Sequence, residues 1–178
     1  DEQADIAAFL FLILCWLPVF LAVYPGFFVY DAQDEYIQVA TRTFSTHHPL
    51  VHVLLLGGMI CGVHKLTGSY NLGIACYMVF QMVLAAGVFT FLFSCLRKKK
   101  ISRVLRLIGL VWLGVFPTVV MFTLCSAKDA LFTLALLLLL VCLLEMGAGK
   151  AFFDTRGWQI LFAVSGAGMM LLRNNGFY

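Results

Sequence analysis

Five stretches of this chain approach the length and apolarity of a membrane crossing, and together they take up just over half of it. A span needs roughly 20 apolar residues. Ile6–Tyr24, Leu72–Leu96, Leu107–Leu124, Ala130–Met146 and Trp158–Leu172 come close to that, and Glu145 is the one acidic or basic side chain inside them. Of the 178 residues, 62% are hydrophobic and 12% charged, against about 25% charged in a soluble domain. Lipid is the solvent such a composition fits. The six cysteines lie mostly in apolar runs without a CxxC pair, and read as small buried hydrophobes rather than a disulfide or metal framework.

A sixth stretch, Leu50–Val63, is shorter. It is interrupted by His52 and Gly57-Gly58 and bounded by His47-His48-Pro49 and His64-Lys65. Too polar for a comfortable span, it reads as a short helix on or dipping into one membrane face. Gly57-Gly58 suits close helix packing.

Charge sets the sidedness. Cytoplasmic loops collect Lys and Arg. Arg97, Lys98, Lys99, Lys100, Arg103 and Arg106 form the densest basic cluster, and Lys150 with Arg156 mark a second inside loop two spans later. Residues 25–71 then form a long outer loop, 125–129 a tight outer turn, and 173–178 emerge outside. The basic loop attracts anionic lipid headgroups but serves mainly to fix topology; nothing in it suggests nucleic acid. No internal repeat or linker divides the chain. The whole of 1–178 reads as one transmembrane domain, all-α and polytopic, with about five spans and interfacial helices in the outer loop. Its ends, Asp1 and the polar cluster before Tyr178, suggest a piece of a longer protein.

Within the outer loop, Tyr24-Pro25-Gly26 is a turn signal closing the first span. Ala32–Phe44 can form a helix with Tyr36, Ile37, Ala40 and Phe44 on one face, suited to the interface.

Four constellations can carry chemistry. Asp31, Asp34 and Glu35 share one helical face. They can bind a divalent cation or hold a general base; equally, Asp31 can cap a helix with the other two in its first turn. Ser126-Ala127-Lys128-Asp129 places ionisable groups at the bilayer edge, where they usually face a cavity or a partner. The plain alternative is a polar turn with Asp129 as a cap. Arg173-Asn174-Asn175 sets an arginine against the positive-inside trend; it can grip a phosphate or snorkel to the interface. Thr46-His47-His48-Pro49, with His52 and His64 nearby, suits a loop capping the site through hydrogen bonds better than a zinc site.

The order and sidedness of these pieces resemble the GT-C class of membrane glycosyltransferases. The matching residues are Tyr30-Asp31 with Asp34-Glu35, His47-His48-Pro49-Leu50, Arg97–Lys100 and Lys128-Asp129-Ala-Leu-Phe. Together with YPGFFVYD and LLRNNGFY, the set looks most like a bacterial GT-C-like family, and it covers the N-terminal part of a complete enzyme. That class often has two prolines where this chain has Pro49 alone, and a later outer loop that is absent here. The resemblance implies sugar transfer with inversion, from a polyprenyl-phosphate-linked donor to an acceptor, on the extracytoplasmic face of a bacterial plasma membrane. It implies Asp31 and Asp129 as catalytic residues, with both able to hold Mg or Mn. Asp34, Glu35, His47, His48, Lys128, Arg173 and Asn174 are implied to bind substrate. Two other classes stay open: a transporter or lipid-carrier flippase, and a non-catalytic scaffold.

Overall fold

A computed structural model describes residues 2–149 and 154–173. Lys150 and Asn174 therefore lie outside the described residues. The described residues form eight helices: α1 (Glu2–Ala22), α2 (Tyr30–Thr41), α3 (Leu50–Thr67), α4 (Tyr70–Lys98), α5 (Arg103–Val115), α6 (Pro117–Thr123), α7 (Lys128–Ala148) and α8 (Arg156–Leu172). Four, α1, α3, α4 and α7, are long and apolar enough to cross a membrane, and α5 with α6 make a fifth if their bent pair is one span; α3 thus reaches the length and apolarity that its expected core, Leu50–Val63, did not. The chain is an all-α polytopic membrane protein.

Local chemistry sets the boundaries. Ser69 and Ser102 cap α4 and α5, each side-chain oxygen accepting from a backbone N–H three residues on, at 3.2 Å, as N-caps do. Gly68 ends α3 in the left-handed region (φ 74°), its N–H donating to His64 O. The expected span Leu107–Leu124 is broken by 60° at Phe116. Pro117 cannot continue the backbone ladder, and the residue before a proline is pushed to extended geometry; Phe116 has φ −68°, ψ 119°.

Pairings along the helices fix their register. At one end Asp5 of α1 meets Arg97 of α4, and Lys99 meets Glu145 of α7. Trp16 then lies edge-on to Phe89, and Gln81 reaches Cys125 O just before α7. Arg173, following α8, returns to Asp129 at the start of α7. Lys128 and Glu145 are 17 residues apart, or about 26 Å at the helical rise, close to the ~30 Å hydrocarbon core. The bundle thus has a basic end and an opposite end. α8 covers the last expected span, but with 17 residues it falls short of the four helices long enough to cross.

α3 departs from expectation. It runs 18 residues, past Val63 to Thr67, yet lies beside only the first part of α4. Its partners there are Tyr70 (ring stacked on His64), Gly73 (against Ile60) and Tyr77 (against His52). Tyr70 precedes Gln81 by 11 residues, so the α3–α4 hairpin projects about 16 Å past the level of Gln81. Glycine makes the hairpin tight: a Cβ on Gly73 would stand 2.8 Å from Ile60 Cα. Gly57 likewise admits Val39 of α2, whereas Gly58 faces open space. Gly73→Val is therefore expected to cost roughly 1–3 kcal/mol by overpacking, read as a lowered melting temperature in detergent, with Gly58→Ala as the neutral control.

The core threads the bundle's axis through Leu12, Trp16 and Phe20 of α1, Met78, Met82 and Ala86 of α4, and Leu124, Leu131 and Leu134 near α6 and α7. Trp16 Nε1 also donates to Leu113 O of α5 at 3.3 Å. Of the six cysteines, all free, Cys95 and Cys142 are buried and Cys76 is exposed.

Candidate functional site

The end opposite the basic loop is built around a short backbone clip. Phe27 N–H donates to Leu124 O at 2.9 Å, and Ser126 N–H donates to Phe27 O at 3.0 Å. The buried Ser126 hydroxyl then accepts from Val29 N–H, the N-cap position of α2. The clip sets the start of α2 against the start of α7, 97 residues later in the chain. Val29 thus occupies the cap position, so Asp31 and Asp129 sit inside the first turns of their helices rather than capping them.

This arrangement puts Lys128 Nζ 3.0 Å from Asp31 Oδ2. The hydrogen bond from Lys128 holds the Asp31 carboxyl below its usual range. Partial burial opposes that shift, while the positive fields of Lys128, His48 and His47 add to it.

The three acids of α2 do not act as one face. Asp31 turns to α7, and Glu35, 1% exposed, turns inward to α3. Asp34 is half-buried and has no ion-pair partner among the described residues. The buried side of α2 is Ala32, Glu35 and Gln38. Ile37 and Phe44 stay exposed, while Tyr36 packs edge-on to Tyr70. Gln38 also ties down the following loop, its Oε1 accepting from Ser45 N–H at 2.9 Å. The loop folds back and buries His48, its ring edge-on to that of His47.

His48 Nδ1 lies 3.5 Å from Lys128 Nζ and 3.6 Å from Glu35 Oε1. Glu35 Oε2 bonds His52 Nδ1, and His52 Nε2 lies 2.8 Å from the Tyr77 hydroxyl. Tyr77 donates to Gln81 Oε1 at 3.1 Å. Gln81 Nε2 faces the carbonyls of Phe122, Thr123 and Cys125 at 3.2, 2.8 and 2.8 Å. A helix end leaves carbonyls unpaired, and here a side-chain amide from α4 serves those at the end of α6.

Donor counting gives this chain a direction. Three carbonyls face Gln81 Nε2, so that atom must be the NH₂ and Oε1 the acceptor. Tyr77 spends its one proton on Oε1 and must accept from His52 Nε2–H. Two lone pairs cannot meet in a dry interior without large cost. Glu35 and His52 therefore hold one proton between them, as a neutral pair or an ion pair, with no net charge either way.

Beside this chain, Asp129 Oδ1 is shielded from water and accepts no hydrogen bond among the described residues. Arg173 Nη1 stands 3.6 Å from it, with the guanidinium 5.3 Å from the centre of the Phe132 ring. Below lies an apolar cavity of about 350 Å³ between α4, α5, α6 and α7, bordered by Gln81, Phe116, Phe122, Ala130, Thr133 and Leu134. Asp31 and Asp129 each already face a cation, and among the described residues no three His, Cys, Asp or Glu side chains are arranged to hold a metal ion. That donor set fits a divalent ion poorly.

The structure thus gathers Asp31, Glu35, His48, Lys128, Asp129 and Arg173 at one end of the bundle. His52, Tyr77 and Gln81 join them without having been singled out as site residues. The signal for the last two was present: a tyrosine and a glutamine four apart inside an apolar run, where buried polar groups are costly.

The fold makes this an integral membrane protein with a polar, ion-paired cluster at one end of an apolar bundle. The chain belongs to the family described as "Family of unknown function (DUF6020)", whose model matches residues 36–178. The match takes in His48, His52, Lys128, Asp129 and Arg173, and begins one residue after Glu35. No curated protein and no solved structure matches the chain.

Proposed function

We propose that this chain carries the site of a GT-C-type glycosyltransferase, which moves a sugar from a polyprenyl-phosphate donor to an acceptor hydroxyl on the extracytoplasmic face of a bacterial plasma membrane. The observation that carries the reading is the pairing of two carboxylates with two cations, Asp31 with Lys128 and Asp129 with Arg173, over an apolar cavity. This end of the bundle is opposite the basic loop, which the positive-inside trend places in the cytoplasm.

In this reaction the acceptor oxygen bonds the anomeric carbon as the bond from that carbon to the phosphate oxygen breaks, inverting the centre. Charge develops on the leaving phosphate. Lys128 and Arg173 are placed to receive it, and preorganised cations stabilise such charge most where water is excluded. Asp31, ionised and half-exposed, accepts the acceptor's hydroxyl proton. Asp129 offers an unsatisfied oxygen to a second hydroxyl. The cavity takes the first part of the polyprenyl chain. No step is assigned to a metal.

Asp31→Asn keeps the shape and removes the base. Sugar transfer from a short-chain polyprenyl-phosphate donor, measured on the intact protein, is expected to fall by about 10² or more. Turnover equal to wild type would remove Asp31 from the reaction.

A further inference from the structure

The second cavity lies at the basic end and takes no part in the site above. It measures about 580 Å³ and is walled by α1, the end of α4 and the start of α5. α1 and α5 touch closely at Gly114, where a Cβ would stand 2.9 Å from the Phe11 ring. Between that contact and the Arg103 end of α5, their side chains enclose the open space. Phe11, Leu107 and Val111 give it apolar walls, and Arg97, Arg103 and Arg106 give it a cationic rim.

Counting donors shows what is left over. Asp5 is the one carboxylate lining the cavity. Both its oxygens accept from Arg97 Nη2, at 2.9 and 2.8 Å, and Ser94 adds a third bond at 3.3 Å. Arg106 Nε donates to Ile101 O at 3.1 Å, which leaves its two terminal nitrogens without a partner among the described residues. The Arg103 side chain has no hydrogen bond or ion pair among the described residues. Lys99 is drawn away to Glu145. The rim therefore carries two guanidinium charges beyond what its own acid neutralises, in a fork geometry suited to phosphate oxygens.

We infer that this cavity is a binding site for an anionic phospholipid of the leaflet on the basic side. Arg103 and Arg106 hold the headgroup phosphate, and the acyl chains run along Phe11, Leu107 and Val111. The walls argue for a lipid over a free anion, because most of the surface offered is apolar, from helices of a membrane protein. Asp5 holds Arg97 in place. Basic pockets between membrane helices recognise anionic headgroups on these terms.

The test is a melting and binding series on the purified protein in mild detergent. Phosphatidylglycerol, phosphatidylcholine and inorganic phosphate are added separately. Phosphatidylglycerol is expected to raise the melting temperature and to remain bound in native mass spectrometry; phosphatidylcholine and inorganic phosphate are expected to do neither. The double variant Arg103→Gln/Arg106→Gln is expected to weaken phosphatidylglycerol binding by at least about tenfold, since each basic group near an anionic headgroup is worth several-fold. The control Lys98→Gln/Lys100→Gln, which removes two charges of the same loop outside the cavity, is expected to change it by less than about twofold. An equal loss in the control would reduce the effect to surface charge and overturn the site. Inorganic phosphate matching phosphatidylglycerol would overturn it as a lipid site. Should the double variant misfold, Arg103→Gln alone decides, because that side chain makes no contact the described fold depends on.

Discussion

Glu35→Ala is expected to destabilise the protein by on the order of 3 kcal/mol, the largest loss from any single change at the cluster. Glu35 and His52 are 1% and 0% exposed. Deleting the carboxyl group strands His52 Nδ1, together with whatever charge it carried, in a dry interior, and takes from His48 its neighbour at 3.6 Å. The loss comes from the partner left behind rather than from the bond itself. Removing both groups should therefore hurt less than removing one. Glu35→Ala/His52→Leu is expected to melt above Glu35→Ala, because the orphaned imidazole is gone while Tyr77 still donates to Gln81. A double variant less stable than Glu35→Ala would mean the pair contributes through packing alone. Asp34→Ala, one residue away and half-buried, is expected to be close to neutral.

Lys128→Ala has the second large effect, on chemistry instead of folding. The Lys128–Asp31 pair is partly exposed, with side chains 22% and 55% accessible, so its loss should barely move the melting temperature. Turnover from a polyprenyl-phosphate sugar is expected to fall by roughly 10²–10³, the scale of losing one preorganised charge opposite a leaving group. The pH behaviour separates this from a general disturbance. Lys128 lowers the Asp31 value in the folded state. The pair's contribution to stability is thus present above the unfolded carboxyl value of 3.8 and disappears only as pH falls through the lower folded one. Wild-type Asp31 stays ionised through neutrality. In Lys128→Ala its titration should move up, with the acid limb of the activity profile following. An acid limb that stays in place would show that Asp31 does not set it.

Which parts of this were legible in the sequence depends on the range of the forces involved. The spans follow from local composition, and the caps at Ser69 and Ser102 from local hydrogen bonding. The meeting of Asp31 with Lys128 follows from sidedness, since both stand where a span ends on the same face. The break at Phe116 was signalled by Pro117, yet the run on either side stays apolar, so hydropathy alone reads through it. Period-counting placed Tyr36, Ile37, Ala40 and Phe44 on one side of an expected helix Ala32–Phe44, whereas α2 ends at Thr41 and leaves Phe44 beyond it, and it gave no reason to bury the opposite side. That side is buried because Glu35 and Gln38 find His52 and the Ser45 backbone, partners 17 and 7 residues away. Tyr77 and Gln81 were the hardest to place. Their spacing says they share a helix face, but not that the face meets carbonyls 41 to 44 residues further on.

The direction of the buried hydrogen-bond chain also bears on transport. A proton moving along such a row needs every link to turn over behind it, so that each donor becomes an acceptor. His52 has two ring nitrogens and can do that, but Tyr77 can turn only by leaving Gln81 Oε1 without a donor. Gln81 cannot, because its amide N–H is far too weak an acid to release a proton and is pinned by three carbonyls of the α6–α7 corner. The row is a siding with a buffer stop at its inner end. Among the described residues the row ends at Gln81, so it offers a proton no onward link into the bundle, and a gradient across the membrane cannot discharge along it.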